Sequence, residues 1–241
     1  LNVAERKPLI GVPADRPGGV LDEDAWREGP VETGEWLSYN PLYGSTVPQK
    51  TKVWLGHDTN FLYFAFQCED PDPSAIKTSI TRRDNIWADD WVGISLDALG
   101  TGQISYHLMV NPNGVQLDML NTVSGGEDQA VDYVWDSAGR RNTHGYAVEM
   151  RVPLQTIRFR GGADVHMGIL FWRRVSRAGI SVAWPPLEPG KWVFEKQAPL
   201  AFGELRPRLI REVIPSATYA RNEQRQAPSQ WGGPDDQGDV G

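Results

Sequence analysis

An all-β fold, a mostly antiparallel β-sandwich, is what this sequence predicts, and three observations predict it. Apolar residues recur with period two over short runs, and the 3.6-residue period of long helices is missing. Gly 25 and Pro 18 are spread through the 241 residues and punctuate those runs. Roughly eight to eleven such runs result, a number typical of two stacked antiparallel sheets with immunoglobulin-like layering.

The elements follow in order. Thr51–Gly56 puts Val53 and Leu55 on one face, and His57-Asp58-Thr59-Asn60 makes a polar turn. Phe61–Glu69 puts Leu62, Phe64, Phe66 and Cys68 on one face and Phe61, Tyr63, Ala65 and Gln67 on the other, so the two runs form a hairpin. Trp91–Leu99 points Val92, Ile94 and Leu96 inward, Gly100-Thr101-Gly102 turns the chain, and Ile104–Asn111 returns with Tyr106, Leu108 and Val110 on one face. Pro112-Asn113-Gly114 is a second turn, and Val115–Leu120 completes a meander. Tyr133–Asn142, Gly145–Val152 and Val165–Ser176 are further strands, the first two joined by a loop over Asn142–Gly145. Pro153–Ile157 reads as a single helical turn with Pro153 at its first position.

The core so predicted comprises Leu62, Phe64, Phe66, Val92, Ile94, Leu96, Leu108, Val110, Val148 and Val152. One sandwich domain is expected over residues 1–205. From Arg206 to Gly241 the composition shifts: Pro207, Pro215, Pro228 and Pro234 interrupt a polar, Gly-rich stretch, though Leu209–Ala220 keeps some alternation. This reads as a tail outside the sandwich.

Composition removes several functions. The 24 Lys and Arg against 31 Asp and Glu give a net charge of −7, which argues against a nucleic-acid partner, because phosphate binding draws on clustered cations. The longest apolar runs, Phe61–Phe66 and Gly168–Trp172, fall well short of the ~20 residues of a membrane helix. The single cysteine, Cys68, excludes a disulfide within the chain and a cysteine-based zinc site. His57, His107, His144 and His166 are scattered without metal-pair spacing, and no nucleophile elbow, P-loop or dinucleotide fingerprint is present. His107 and Met109 share a strand face at i and i+2, pointing the same way rather than across a haem. A pair of glycosidase carboxylates leaves no sequence signature, since its members come from distant strands.

Two kinds of constellation remain. The acidic clusters are Asp22-Glu23-Asp24, Glu69-Asp70-Pro71-Asp72, Asp89-Asp90 and Glu127-Asp128. The Glu69–Asp72 loop offers several oxygens of the kind calcium takes, yet no cluster follows a calcium-loop pattern, and solvated turn acids are the competing reading. The second constellation is basic and aromatic: Thr81-Arg82-Arg83-Asp84-Asn85-Ile86-Trp87 leads into Asp89-Asp90-Trp91, and Trp172-Arg173-Arg174-Val175-Ser176-Arg177 follows later. Indole faces stack on the C–H faces of sugar rings while Arg, Asp and Asn grip hydroxyls. A sugar site built from Arg82, Arg83, Asp84, Asn85, Trp87 and Trp91, with Trp172 and Arg173 opposite, is therefore expected. In the structural alternative the tryptophans are core anchors and the arginines pair with Asp84, Asp89 and Asp90.

At these residues the sequence resembles the carbohydrate-binding module family 9-like domain at the N-terminus of bacterial proteins that carry a C-terminal outer-membrane-type β-barrel. The resemblance lies in LDEDAW (Leu21–Trp26), LYFAFQCEDPDPSAI (Leu62–Ile76), TRRDNIWADDWVGISLD (Thr81–Asp97), VNPNGVQLD (Val110–Asp118), VWDSAGR (Val134–Arg140), YAVEMRVPLQTIRF (Tyr146–Phe159) and MGILFWRRVSR (Met167–Arg177). LIREVIPSATYARNE (Leu209–Glu223) and GDVG (Gly238–Gly241) resemble the linker and the start of the barrel. The resemblance implies a jelly-roll sandwich, sugar binding, structural calcium as in some relatives attached to xylanases, and an exported chain in the periplasm or outer membrane. It implies two partners, a carbohydrate and the barrel of the same full-length protein. Three functions compete: a non-catalytic carbohydrate-binding domain, which leads; an interaction domain docking on its own barrel or another envelope protein; and a glycoside hydrolase.

Overall fold

The computed structural model describes Leu1, Gly19, Leu21, Trp26, Arg27, residues 29–191 and residues 193–206, together with the backbone of four strands between 217 and 240. The chain divides into two units, Leu1–Arg208 and Leu209–Gly241.

The first unit is the expected sandwich. Its described strands are β1 (Leu37–Asn40), β2 (Thr51–His57), β3 (Phe61–Glu69), β4 (Trp91–Asp97), β5 (Ile104–Val110), β6 (Gln116–Thr122), β7 (Gly126–Asp128), β8 (Asp136–Asn142), β9 (Gly145–Pro153), β10 (Val165–Val175), β11 (Ile180–Trp184) and β12 (Ala198–Phe202). An eight-stranded sheet has the order β1-β11-β10-β4-β5-β6-β7, with β12 also pairing with β10, and a four-stranded sheet has the order β2-β3-β9-β8. The eleven-residue β10 is long enough to serve both neighbours on one side: its first half pairs with β12 and its second half with β11.

Alternation decides which residues meet between the sheets. Val53, Leu55, Leu62, Phe64, Phe66, Val148, Met150 and Val152 from the smaller sheet pack against Val92, Ile94, Leu96, Leu108, Val110, Ile169 and Phe171 from the larger. All ten core residues expected from the sequence are in this cluster. The predicted turns form as their side chains dictate. Asp58 Oδ1 accepts from the backbone N–H groups of Asn60 and Phe61 at 2.6 and 2.7 Å, and its Oδ2 accepts from the Tyr63 hydroxyl at 2.8 Å. Asn111 Oδ1 accepts from Asn113 and Val115, bending the β5–β6 turn around Gly114 at φ 82°. At Gly145, φ is 148° and a Cβ would lie 1.9 Å from the Cys68 carbonyl oxygen, so only glycine lets β9 run against β3 there.

Two expectations change. Pro153–Ile157 is not a helical turn: Pro153 ends β9 opposite Phe61, and Thr156 N donates to Pro153 O at 2.9 Å in a simple reverse turn. Leu154 and Ile157 are drawn into the core, which holds this segment against the sandwich. The strands β1, β7, β11 and β12 were not anticipated; each has three to five residues, too few for alternation to show.

In the second unit, β13 (Ala217–Asn222) pairs antiparallel with β16 (Asp235–Val240), and β14 (Arg225–Ala227) pairs with β15 (Gln230–Trp231). The expected tail therefore carries regular strand pairing of its own.

Candidate functional site

The face of the eight-stranded sheet turned away from the sandwich core carries a second apolar cluster. Trp91 (β4), Met109 (β5), Leu117 and Met119 (β6), Leu170 and Trp172 (β10) and Ala183 (β11) point this way, joined by Ile86 from the segment before β4. A soluble sheet usually presents polar groups on its outer face. Here the sheet curls, so Tyr39 on β1 and Glu127 on β7, at opposite ends of the strand order, lie within electrostatic reach of each other. The result is a cleft of about 360 Å³ across this face.

Its walls are aromatic. Trp172 meets the Tyr39 ring edge-on at 4.8 Å between centroids, and its indole N–H donates to Ser95 Oγ at 2.5 Å. Trp87 stands on the rim, 44% exposed, perpendicular to Trp91 at 6.3 Å. Gly93, paired across the strands with both Trp172 and Met109, leaves the gap these side chains fill; a Cβ there would sit 2.7 Å from Met109 Cγ.

Polar groups punctuate the apolar surface. Arg174, two residues after Trp172 and hence on the same face, donates through Nη1 to Gly179 O at 3.0 Å and Ser181 Oγ at 3.1 Å. Glu127, Asn40 and Ser181 also line the cleft. Burial pushes the Tyr39 phenol up to about 12, so it remains a neutral hydroxyl. Burial pushes the His107 imidazole down to about 4, so the ring is neutral at physiological pH.

Of the sequence-predicted site residues, Trp87, Trp91 and Trp172 line this cleft. The other five lie elsewhere. Arg173 is 1% exposed on the opposite face of β10, because one step along a strand reverses the side chain. Its Nη1 donates to Lys50 O at 2.8 Å and Thr51 Oγ1 at 3.1 Å, its Nη2 to Glu69 O at 3.0 Å, and the guanidinium stacks on Tyr146 at 5.6 Å. Arg83 and Asp84 fix the connecting loop to the open edge of β6. Arg83 Nε donates to Asp118 Oδ1 at 2.8 Å and its Nη1 to Gln116 Oε1 at 3.0 Å, while Asp84 N donates to Gln116 O and Asp84 Oδ1 accepts from Asp118 N. Arg82 and Asn85 are exposed outside the cleft lining, Asn85 donating to Thr81 Oγ1 at 3.1 Å. The alternative ion pairing also changes partners. Asp89 accepts from Ser79 and Asn111, and Asp90, its carboxyl raised by burial, accepts from Ser176 N.

The acidic loop considered for calcium is spoken for within the protein. Glu69 pairs with Lys52 at 2.8 Å, Asp70 with Arg177 at 2.6 Å, and Asp72 accepts from Ser74. A different trio, Asp84, Asp118 and Asp132, gathers within 4.8 Å. Arg83 already supplies the positive charge there, contacting Asp118 and Asp132.

Of the cleft residues, Tyr39, Asn40, Met119 and Ser181 were not singled out from the sequence; Glu127 stood there only as a turn acid, Arg174 only within the Trp172–Arg177 run, and His107 and Met109 only as a discarded haem pair. The usable signal was the two-residue step from Trp172 to Arg174 and from His107 to Met109. Tyr39 carried none, and Glu127 only its place in an acidic pair, since both lie on edge strands too short to read.

With this geometry in place, residues 19–171 match a family model described as carbohydrate family 9 binding domain-like. The chain belongs to this family. No curated protein matches the chain. Family 9 architecture recurs in solved structures. A carbohydrate-binding module family 9 from Caldicellulosiruptor kristjanssonii in complex with glucose superposes with a TM-score of 0.54 at 19% identity, covering 88% of this chain and 99% of that one. The complex of such a module from the same organism with cellotriose gives a TM-score of 0.55 at 17% identity, covering 89% and 98%. A putative carbohydrate-binding protein from Bacteroides uniformis gives 0.53 at 14%, covering 70% and 85%. At these identities the likeness shows the fold, an antiparallel β-sandwich with one curled sheet.

Proposed function

We propose that this chain is a non-catalytic carbohydrate-binding domain that takes a sugar ring in the concave cleft of its eight-stranded sheet. The observation that carries the reading is the combination, in one cleft, of indole faces from Trp87, Trp91 and Trp172 with hydroxyl-gripping groups from Arg174, Glu127 and Asn40. Membership of the family supports it, as do the solved relatives that hold glucose and cellotriose. Glycoside hydrolysis uses two carboxylates flanking the bond, and among the described residues Glu127 is the carboxylate that lines the cleft. The setting we propose is the bacterial envelope, with the barrel of the same full-length protein as partner; the support is the likeness of Leu209–Glu223 and Gly238–Gly241 to a barrel-linked tail.

One stacked ring gives affinity of roughly a millimolar Kd, about −4 kcal/mol, and added charge-assisted hydrogen bonds bring it toward micromolar. Calorimetry with glucose, cello-oligosaccharides and xylo-oligosaccharides tests the reading. Binding is expected, and Trp87→Ala on the exposed rim is expected to abolish it with the melting temperature unchanged. Absence of binding by the unmodified chain rejects the reading in favour of an interaction domain.

A further inference from the structure

Strand β1 breaks its pairing with β11 where it enters the cleft. Ser38 pairs with Val182 and Asn40 with Ser181, so Tyr39 is an extra residue between them. In an unbroken strand Tyr39 and Asn40 would face opposite sides of the sheet. At this bulge both line the cleft, Tyr39 part-exposed and Asn40 exposed. The returning segment fixes the bulge: Ser38 N donates to Ser45 O at 2.8 Å, Gly44 N to Ser38 O at 2.9 Å and Ser45 N to Ser38 Oγ at 3.0 Å. Next in line across the sheet come Ser181 and Arg174, paired between β11 and β10. Arg174 is clipped through Nη1 alone, to Gly179 O and Ser181 Oγ. The residue is part-exposed, and its Nε and Nη2 have no partner among the described residues and are not enclosed.

We propose that the β1 bulge builds the specificity-determining wall of the cleft, where the Tyr39 hydroxyl and the Arg174 guanidinium donate to oxygens of a bound sugar ring while Glu127 on β7 accepts from its hydroxyl protons. The inference rests on the carbohydrate reading of the same cleft and adds which residues read the ring and which way the hydrogen bonds run. The directions follow from what each group can do. A guanidinium only donates, and a carboxylate only accepts. Ser181 Oγ receives Arg174 Nη1, so its own proton is left for the Tyr39 oxygen, with which it is in hydrogen-bonding contact. The phenol proton, which Tyr39 keeps because burial raises its pKa to about 12, is then left for a ligand. The stacking tryptophans accept many ring shapes. A wall of donors discriminates, because an absent or inverted hydroxyl leaves them without an acceptor.

The test is calorimetric titration of the full chain with glucose, cellotriose, and the monodeoxy and monodeoxyfluoro glucoses, beside thermal unfolding, for the wild type, Tyr39→Phe and Arg174→Met. Fluorine accepts a hydrogen bond weakly and cannot donate one, so the two analogue series separate the walls without any variant. At a ring position facing Tyr39 or Arg174, the deoxy sugar is expected to lose about tenfold while the deoxyfluoro sugar stays within a few fold of glucose. At a position facing Glu127, both analogues are expected to lose about tenfold. Tyr39→Phe keeps the ring and loses the donor; Arg174→Met keeps the stem and loses the fork. Each is expected to bind glucose and cellotriose roughly five- to tenfold more weakly at an unchanged melting temperature, and to erase the deoxy penalty at the position it served. Equal losses from deoxy and deoxyfluoro sugars at every position, or wild-type affinity in both variants, would strip the wall of this role and leave the sugar site standing. If the wild type binds neither glucose nor cellotriose, the carbohydrate reading itself falls and takes this inference with it.

Discussion

Arg173 and Arg174 are chemically identical neighbours with opposite fates. Arg174 reaches the cleft, whereas Arg173 is enclosed between the sheets, bridging the carbonyls of Lys50 and Glu69. Arg173→Ala is expected to cost about 3–5 kcal/mol in denaturant unfolding, as it leaves those carbonyls and the nearby Asp90 without their cation. Arg174→Ala should cost less than ~1 kcal/mol and act on sugar affinity instead. His107 supplies a second residue-scale prediction. Burial holds its pKa near 4 in the fold against 6.5 when free, so between those values the unfolded chain binds more protons. Stability therefore rises with pH across that window and falls as pH drops from 6.5 towards 4, by something on the order of 3 kcal/mol. Asp90 and Asp118, raised by burial, contribute the opposite sign above their ordinary value of 3.8. Unfolding curves of wild type and His107→Leu at pH 7 and 4.5 isolate the histidine: the wild type should lose more stability than the variant.

At the scale of elements, legibility in the sequence tracked length and two-sidedness. Phe61–Glu69 was read with its bounds as found, because nine alternating residues with a turn at each end have few competing readings. β7, with the sequence GED, carries no apolar residue and exists because β6 offers it an edge. The site divided the same way. The tryptophans were visible as residue types, but a curl that brings β1 towards β7 is a property of the whole sheet, and no local spacing encodes it. The loop over Thr81–Trp87 was read as a binding connection; most of it is an anchor. Arg83 and Asp84 hold it along the first half of β6, on the edge away from β5 that β7 leaves unpaired, and so set the position of Trp87. Arg83→Ala should cost about 2–3 kcal/mol by leaving the fully buried Asp118 carboxylate without its cation. It should also loosen Trp87, seen as stronger collisional quenching of tryptophan fluorescence and weaker sugar binding.

At the scale of the whole molecule, binding and folding are linked through the first unit. Both apolar clusters and every cleft-lining residue fall within Leu1–Arg208. A chain ending at Arg208 is therefore expected to melt at the temperature of the full chain and to bind sugar equally; a lower melting temperature would show that Leu209–Gly241 contributes to the sandwich. The cleft spans strands from β1 to β7, so its residues come together only when the eight-stranded sheet is formed. A sugar that binds this cleft has no comparable site on the unfolded chain, and its binding free energy adds to stability by mass action. At a hundred times its Kd, a ligand contributes about 2.7 kcal/mol. For a domain near 200 residues that corresponds to a rise of about 5–10 °C. Cellotriose in such excess should shift the melting temperature by this amount in both the full and the shortened chain, and Trp87→Ala should remove the shift while leaving the unliganded melting temperature in place. A shift confined to the full chain would move the sugar site away from the cleft and into the second unit.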